Sequence, residues 1–567
     1  MDTRLKSIQL IIWVLFGLAV LYGLYQAISL AWVGDDAFIS YRYARNLIEG
    51  HGLVFNPGQQ VEGYTNFLWT ILIALGMLAG IDPIIFSHIL SIAAYLFTVG
   101  VLIYVSYKLT QRRDDQKSII FPVAAILILV QHDYHIYATS GLETSLVSAF
   151  VTLGFAILAL RDSRRWFLMA GYVLILGALT RPDAMIFYIM GIPYILMLGR
   201  ENWRNILPYI LPLLIIYLPY WLWRHSYYGY PFPNTYYAKS AYLPYFSQGL
   251  TYLMLYMRTY YVLALVPLAM IFTIPDFIKH FLSRRKLARE LDRVWALGIL
   301  FIIPYVFYVV RSGGDFMFAR FFIPITPICF LFLESGILAI SRRVSVRLAL
   351  GIIVILSVLF RWNQFDMPEK SISWIVDESL HYPADAVAKA KRDGRNMQKY
   401  LGDLDVTVGF YGTKAMTVYY SKLPDAIELN TGLTDEYIAH LPLEKRGQPG
   451  HEKLAPRDYL FEREVNFILK KTDLPIRDSS KILFLDSTIL HIFIYENKVM
   501  EPLKKYPGVR FMDLHDYLDS YIINLENVPA RQLIEDFDFL KSYYFDHNDD
   551  PGRLKPFIDR LKELQRQ

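Results

Sequence analysis

The sequence predicts a helical polytopic membrane module carrying a C-terminal extracytoplasmic α/β domain, and three observations predict it. Of 567 residues, 54% are hydrophobic and 19% charged, with a mean hydropathy of +0.30, whereas soluble domains carry about 25% charged residues. Apolar runs crowd residues 8–361 and then stop. The basic residues between those runs gather in a few short connectors. A wholly water-soluble protein is thereby excluded. One cysteine, Cys329, permits neither an internal disulfide nor a Cys-rich zinc site. A net charge of +5 is too small for this size to point to nucleic acid.

A helix needs about 20 apolar residues to cross the hydrocarbon. Such runs occupy 8–31, 84–108, 118–131, 144–160, 166–180, 184–198, 206–224, 250–275, 293–311, 320–339 and 347–361, giving about eleven spans. The first is too long for a removable signal peptide and lacks a small-residue cleavage site. Arg4 and Lys6 place the N-terminus in the cytoplasm. The basic connectors 108–113, 161–165, 200–204, 283–286 and 342–347 then share that side, provided the run Thr65–Ile81 does not cross. At about 17 residues it is at the lower limit for a span and reads as juxtamembrane or re-entrant. The expected location is the bacterial inner membrane, with the C-terminus outside.

After Arg361 the composition is that of a soluble domain. Pro383–Leu401 reads as a helix, Val406–Tyr411, Lys481–Leu485 and His491–Tyr495 as strands, and helical periodicity returns near Ile558–Leu564. The expected division is 1–361 for the membrane module, with 34–81 as its first outer loop, and 362–567 for the outer domain.

The outer connectors carry the polar chemistry. In the first, Asp35 and Asp36 end a transmembrane run, and an Asp at the bilayer centre costs about 2.5–3.5 kcal/mol, so they sit at a wet boundary or in a cavity. They suit a general base, a metal ligand, or plain helix capping. Gly34 or Asp35 would cap the helix that follows, and Gly50 with Gly52 would stop it. In that helix Phe38, Tyr41, Ala44 and Ile48 form an apolar stripe, with Arg42, Arg45 and Glu49 opposite, as in a helix lying in the interface plane. Glu62, Tyr64 and Asn66 follow at the mouth of the spans, as binding groups or as a lid.

Further outer connectors hold His132, Asp133, His135 and Glu143, then Arg181 and Asp183, then Tyr237 and Lys239, then Arg311, Asp315 and Arg320. The histidine spacing fits no standard zinc pattern. Arg181, Lys239, Arg311 and Arg320 put four cations on the outer face, against the usual bias. Singly each reads as a snorkelling anchor; together beside acids they suit an anionic group, which arginine grips bidentately. In the outer domain His451 follows Pro449-Gly450, in an acceptor groove or simply in a turn.

Gly34-Asp35-Asp36-Ala-Phe-Ile-Ser-Tyr-Arg42, Gly52-Leu-Val-Phe-Asn56, Val61-Glu62-Gly-Tyr64-Thr-Asn66-Phe-Leu-Trp69, Ser140-Gly-Leu-Glu143, Thr180-Arg181-Pro-Asp183 and Gly313-Gly-Asp315-Phe together resemble the GT-C superfamily of polyprenyl-phosphate-sugar-dependent glycosyltransferases. The likeness is greatest to the terminal arabinofuranosyltransferases of mycobacteria and their bacterial relatives. It runs on through Val408–Gly412, Asn430–Asp435 and Gly447–Lys453 to about residue 460. The resemblance implies a GT-C fold and an integral-membrane glycosyltransferase. Its donor would be a sugar, arabinofuranose among the candidates, on a polyprenyl phosphate, and its acceptor a cell-envelope glycan. Asp35 or Asp36 would deprotonate the acceptor hydroxyl. Lys239, Arg320, Arg181 and Arg311 would hold the donor phosphate, and Arg42, Glu62, Tyr64, Asn66, Glu143, Asp183, Tyr237, Asp315 and His451 would contact substrate. No cofactor is expected, and nothing in the sequence calls for a divalent cation.

Two other classes compete. A transporter would place its ionisable residues near the midplane on broken helices in matching halves, and no such halves are visible. A non-catalytic assembly protein is the other, because some relatives of this architecture are linked to flagellar placement.

Overall fold

The computed structural model describes residues 3–111, 119–271, 278, 290–341, 343–365, 367, 370–443, 445–469 and 481–566. The basic connector 283–286, most of 108–118 and Arg342 lie outside the described residues. The chain forms two compact units: Met1–Leu53, Tyr64–Ala384 and Arg446–Gly450, then Val54–Gly63, Asp385–Lys445 and His451–Gln567.

The first unit is helical and membrane-embedded. Among the described residues, Leu5–Ser29, Pro83–Gln111, Trp203–Tyr228 and Leu291–Ser312 are long and apolar enough to cross a bilayer. Phe246–Thr259 and Tyr261–Ile271 make a fifth candidate, bent by 113°. The remaining runs of the expected eleven are helical but shorter, among them Thr144–Leu160, Thr326–Ile340 and Val344–Leu359. Burial sorts them: Thr144–Leu160 is enclosed along nearly its whole length, whereas Leu5–Ser29 turns most of its apolar surface outward. With no water in hydrocarbon, an outward apolar face beside internally satisfied backbone is the arrangement lipid demands.

Three expectations about the helices change. The run 250–275 is not one rod, because Tyr260 leaves helical geometry (φ −116°, ψ 66°) and its hydroxyl donates to buried Asp133. The run 320–339 becomes helical only at Thr326, with Pro327 in its first turn; residues before it turn sharply at Ala319 (φ 63°). The helix Ala37–Ile48 does not lie with one polar face in water, since Arg42 and Arg45 are as buried as Phe38 and Tyr41. Its neighbours cover it on both sides. Thr65–Ile81 holds the helix Phe67–Leu78, of 12 residues, too short to span at 1.5 Å per residue.

The first unit also extends beyond residue 361, to Ala384. Hydrogen bonds hold this extension: Gln364 Nε2 donates to Leu255 O and Thr259 Oγ1, and Val376 exchanges backbone bonds with Phe316 and Phe318. Conversely, Val54–Gly63 packs in the second unit, where Asn56 pairs with the Ala426 backbone and the Asp425 carboxylate.

The second unit is α/β. Six strands, β1 (Thr407–Phe410), β2 (Asp425–Glu428), β3 (Val465–Leu469), β4 (Ile482–Leu485), β5 (Thr488–Ile492) and β6 (Val509–Arg510), form one sheet in the order β2-β1-β3-β5-β4-β6. β1, β2 and β3 are parallel, and β5, β4 and β6 extend the sheet antiparallel. β3 is buried throughout, as a strand covered on both faces must be. The expected helix over 383–401 forms as Ala384–Leu401, and the C-terminal helix spans Pro551–Arg566.

Candidate active site

Polar residues of several connectors converge in the first unit because short backbone devices clamp the connectors together. Gly34 N donates to Ser140 O at 3.0 Å, tying the Asp35–Asp36 loop to the Glu143 loop. Gly141 between them has φ 79°, and a Cβ there would come within 2.8 Å of Tyr41 Oη and 3.0 Å of Ala37 Cβ. Only glycine permits both that conformation and that approach. Gly314 plays the same part for Asp315: φ is 71°, and a Cβ would lie 2.5 Å from the Tyr252 ring. Arg320 follows Ala319, a buried non-glycine residue at positive φ, a conformation that persists only where surroundings enforce it.

These devices assemble one chain of charges. Arg320 reaches three acids: Nη2 lies 3.4 Å from Glu143 Oε1, and Nη1 lies 3.4 Å from Asp315 Oδ2 and 3.8 Å from Asp36 Oδ2. Arg181 grips Asp183 bidentately at 3.1 and 2.9 Å and lies 3.9 Å from Glu143. Its guanidinium stacks on Phe321 at 4.7 Å. Tyr305 Oη also donates to Asp183, at 2.9 Å. Asn66 Nδ2 donates to Glu143 Oε2 at 3.0 Å and is itself fixed by Ser40.

Glu143 is the hinge of this chain. Burial alone would raise its pKa, but Arg320, Arg181 and the Asn66 amide outweigh it and hold the carboxyl below its ordinary range. Burial disfavours charge on Arg320 and Arg181, yet their carboxylate partners keep both guanidiniums protonated. Among the described residues, two buried donors, Arg181 Nη1 and Arg320 Nε, find no acceptor. An unmet buried N–H costs about 1–3 kcal/mol, so both favour an incoming anionic oxygen.

Asp35 is buried, while the Asp36 side chain is 37% exposed. Asp36 occupies the position before the helix Ala37–Ile48 without capping it, which leaves the carboxylate to Arg320 and to solvent.

One participant was not legible in the sequence. Glu378 is buried, and its carboxyl is pushed up to about 8, first by burial and then by the charges of Asp36, Asp35 and Asp315. It sits in a short turn of helix after Val376, the residue bridged to Met317. Asp377 caps that turn through Ser379, and Tyr382 stacks on Trp32 at 6.1 Å. The only signal was an acidic pair beyond the last apolar run, where composition reads as a soluble domain.

The structure thus brings together Asp36, Asn66, Glu143, Arg181, Asp183, Asp315 and Arg320. Each of the other expected site residues has surroundings of its own. Lys239 ends the short helix Asn234–Ala238, and a Cβ on Gly450 would meet its side chain at 3.4 Å. Arg311 ends its own helix and donates to Tyr242 O at 3.3 Å, a favourable place for a cation at a helix C-terminus. Tyr237 packs in an aromatic group with Tyr230 and Tyr236. Tyr64 stacks on Tyr43 at 4.6 Å, and its hydroxyl meets that of Tyr228. Arg42 is enclosed within the first unit. Glu62 and His451 belong to the second unit, where the loop motifs meet: Gly412 N donates to Asn430 Oδ1 at 2.8 Å, and a Cβ on Gly412 would sit 3.9 Å from His451. His135 binds Leu129 O at 3.0 Å, a satisfied interior histidine. Among the described residues, no three His, Cys, Asp or Glu side chains gather closely enough to hold a metal ion.

Comparison with a solved structure bears on the arrangement. The crystal structure of ArnT from Cupriavidus metallidurans bound to undecaprenyl phosphate superposes with a TM-score of 0.52, covering 85% of this chain and 98% of that one at 12% identity. The chain has the GT-C fold. Curated relatives lie closer in sequence. The terminal β-(1→2)-arabinofuranosyltransferase of Mycobacterium tuberculosis is 28% identical over 351 residues, 57% of this chain and 54% of that protein. Its namesake from Corynebacterium glutamicum is 28% identical over 316 residues, 51% and 46% respectively. The chain therefore spans about half the length of the curated relatives it matches. No protein-family model matches it. On the GT-C fold of this chain, the clustered charges all come from loops between helices, where binding and catalytic groups concentrate.

Proposed function

We propose that this protein is a membrane-embedded glycosyltransferase that moves a sugar, arabinofuranose by its relatives' names, from a polyprenyl-phosphate donor to a glycan acceptor. The reaction would take place at the outer face of the bacterial inner membrane, with the C-terminal domain outside. The helical unit is the catalytic module, and the α/β unit binds carbohydrate. The observation that carries this reading is the pair of buried guanidinium N–H groups on Arg181 and Arg320 that are unmatched among the described residues, in the same ion network as Asp36.

The chemistry follows from that arrangement. A carboxylate of the Asp35–Asp36 pair accepts the proton of the acceptor hydroxyl as its oxygen attacks the anomeric carbon. The bond from that carbon to the phosphate oxygen breaks, and its electron pair leaves with the polyprenyl phosphate. Charge grows on the phosphate at that moment, and fixed donors in a water-poor site act most strongly on charge that develops. Arg320 answers it best by loosening Asp36, its longest contact at 3.8 Å, which at the same time frees the base. Glu143 keeps both guanidiniums in place. ArnT, whose fold this chain shares, was crystallised with undecaprenyl phosphate, in keeping with a lipid-linked donor.

Mass spectrometry of lipids co-purifying with the protein tests the reading. A polyprenyl phosphate carrying a pentose is the expected result, and its depletion from an Arg181→Gln/Arg320→Gln variant ties it to these donors. Ordinary phospholipids alone, in wild type and variant alike, would contradict it.

A further inference from the structure

The helix Phe246–Thr259 meets Tyr261–Ile271 at a bend of 113°. With the second half running across the bilayer, the first half lies close to the membrane plane. Its sequence suits that place. Phe246, Leu250 and Met254 recur every fourth residue and are exposed, and exposed Arg258 ends the same row. Gln248, Gly249, Tyr252, Leu255, Tyr256 and Thr259 form the opposite face and are buried. An apolar outer row ending in a cation fits a helix in the interface plane, where the arginine stem covers apolar surface and its head reaches water. The buried face is anchored. Tyr252 Oη donates to Met317 O at 3.0 Å and accepts from Phe321 N at 3.1 Å, which fastens the helix to the loop carrying Asp315 and Arg320.

The segment after the last apolar run lies beside this helix and has the same character. Trp362 N donates to Thr259 O at 3.2 Å, and Gln248 Nε2 donates to Ser373 O at 2.5 Å, so the segment meets the helix near both of its ends. Phe360, Trp362, Met367 and Trp374 turn outward; Trp362 is 71% and Trp374 55% exposed. Ile372 and Ile375 exchange two backbone hydrogen bonds at 3.0 Å, closing a hairpin whose two central residues, Ser373 and Trp374, are left-handed at φ 50° and 65°. Such turns favour Asn-Gly, and a bulky residue at positive φ is an outlier that persists where its surroundings compensate it. Water gives an exposed indole no such compensation, whereas tryptophan is enriched at the membrane–water interface. The apolar surface continues on either side into helices that face lipid. Ile352, Ile353 and Leu356 lead up to Phe360, and Tyr261, Leu265 and Leu268 lead on from Met254.

We infer that the helix Phe246–Thr259 and the Trp374 hairpin lie together in one headgroup layer of the bilayer, with Phe246, Leu250, Met254 and Trp374 in contact with lipid. The inference rests on the chain being membrane-embedded and not on the transfer chemistry. Spin-label depth measurements test it on the full-length protein in nanodiscs of phosphatidylethanolamine and phosphatidylglycerol. Cys329→Ser removes the only cysteine, and single nitroxides are then attached through Phe246→Cys, Leu250→Cys, Met254→Cys or Trp374→Cys. Collision with oxygen relative to a water-soluble nickel chelate reads the depth. Ile353→Cys, on an exposed position of an apolar helix, and Arg531→Cys, on a solvated side chain of the second unit, calibrate it. All four labels should read one shared depth, about 5–10 Å into the boundary between headgroups and acyl chains. A crossing helix would change the depth by about 12 Å between positions 246 and 254, and a difference of that size would overturn the in-plane placement. A label at position 374 that reads like the Arg531→Cys control would overturn the hairpin's contact with lipid. Labels shielded from oxygen and nickel alike would reveal a protein surface there and overturn lipid as the partner.

Discussion

Glu143 and Glu378 are the same residue type, both more than nine-tenths buried, in two loops of the same unit, yet their charges go opposite ways. Glu143 is held below the ordinary carboxylate range and Glu378 is pushed up to about 8. Burial works against ionisation in both. The difference is the neighbour: Glu143 faces Arg320 and Arg181, whereas Glu378 faces Asp36, Asp35 and Asp315. One lesson is that depth alone does not set the state of a buried acid. The other is that one part of the region balances its acids with guanidiniums, whereas the part around Glu378 gathers acids together.

The strongest way to break this contrast is to remove the cations. Arg320→Ala strands Asp315 without a close cation and leaves Glu143 only Arg181, at 3.9 Å, and breaking a buried pair from one side costs about 3–5 kcal/mol. A fall of several degrees in the thermal unfolding midpoint is expected, along with loss of donor-lipid binding. An unchanged midpoint would mean that water already reaches the cluster. Glu143→Gln acts on the same pair from the other side, keeping the shape and one acceptor oxygen while removing the charge. Its expected cost is smaller, about 1–3 kcal/mol, and is read in the same melt.

The contrast is sharpened by pH. Glu378 has a folded value above its unfolded one, so its contribution to stability is full below pH about 4.5 and is lost as pH rises through about 8. Glu143 has the reverse sign: its contribution is present above the unfolded value and is lost as pH falls through the depressed folded one. Glu378→Gln should therefore be neutral at acid pH and more stable than wild type at pH 8, with a flatter profile between. A profile that keeps its slope in the variant would assign that slope to another group. The smallest effect belongs outside the site: Arg531→Ala removes a fully solvated pair with Glu535, and denaturant melts should move by less than about 0.5 kcal/mol.

Much of the helical layout was legible because membrane solvent imposes a simple code of long apolar runs. The exceptions have local causes. Tyr260 and Ala319 break runs that hydropathy reads as continuous, since a single residue's dihedrals do not register in an average over 20 positions. In the α/β unit the strand Val465–Leu469 passed unread because a fully buried strand has no alternation to reveal it. Within the site, Asp36, Glu143, Arg181, Asp183, Asp315 and Arg320 were visible as charges where lipid penalises charge. Lys239 and Arg311 carried the same signal, and hydropathy does not say which cations join the ion network, because it does not give the position of a residue around the helices. Glu378 gave no such signal, lying beyond the last run in a stretch where acids are ordinary.

The most direct test is transfer itself, measured with purified protein, a polyprenyl-phosphate pentose and a glycan acceptor, comparing wild type with Asp35→Asn and Asp36→Asn. Loss of about 10²–10⁴-fold in rate in at least one variant, the usual worth of a general base, with unchanged melting and donor binding, is the result expected here. Transfer at the wild-type rate by both variants would contradict it.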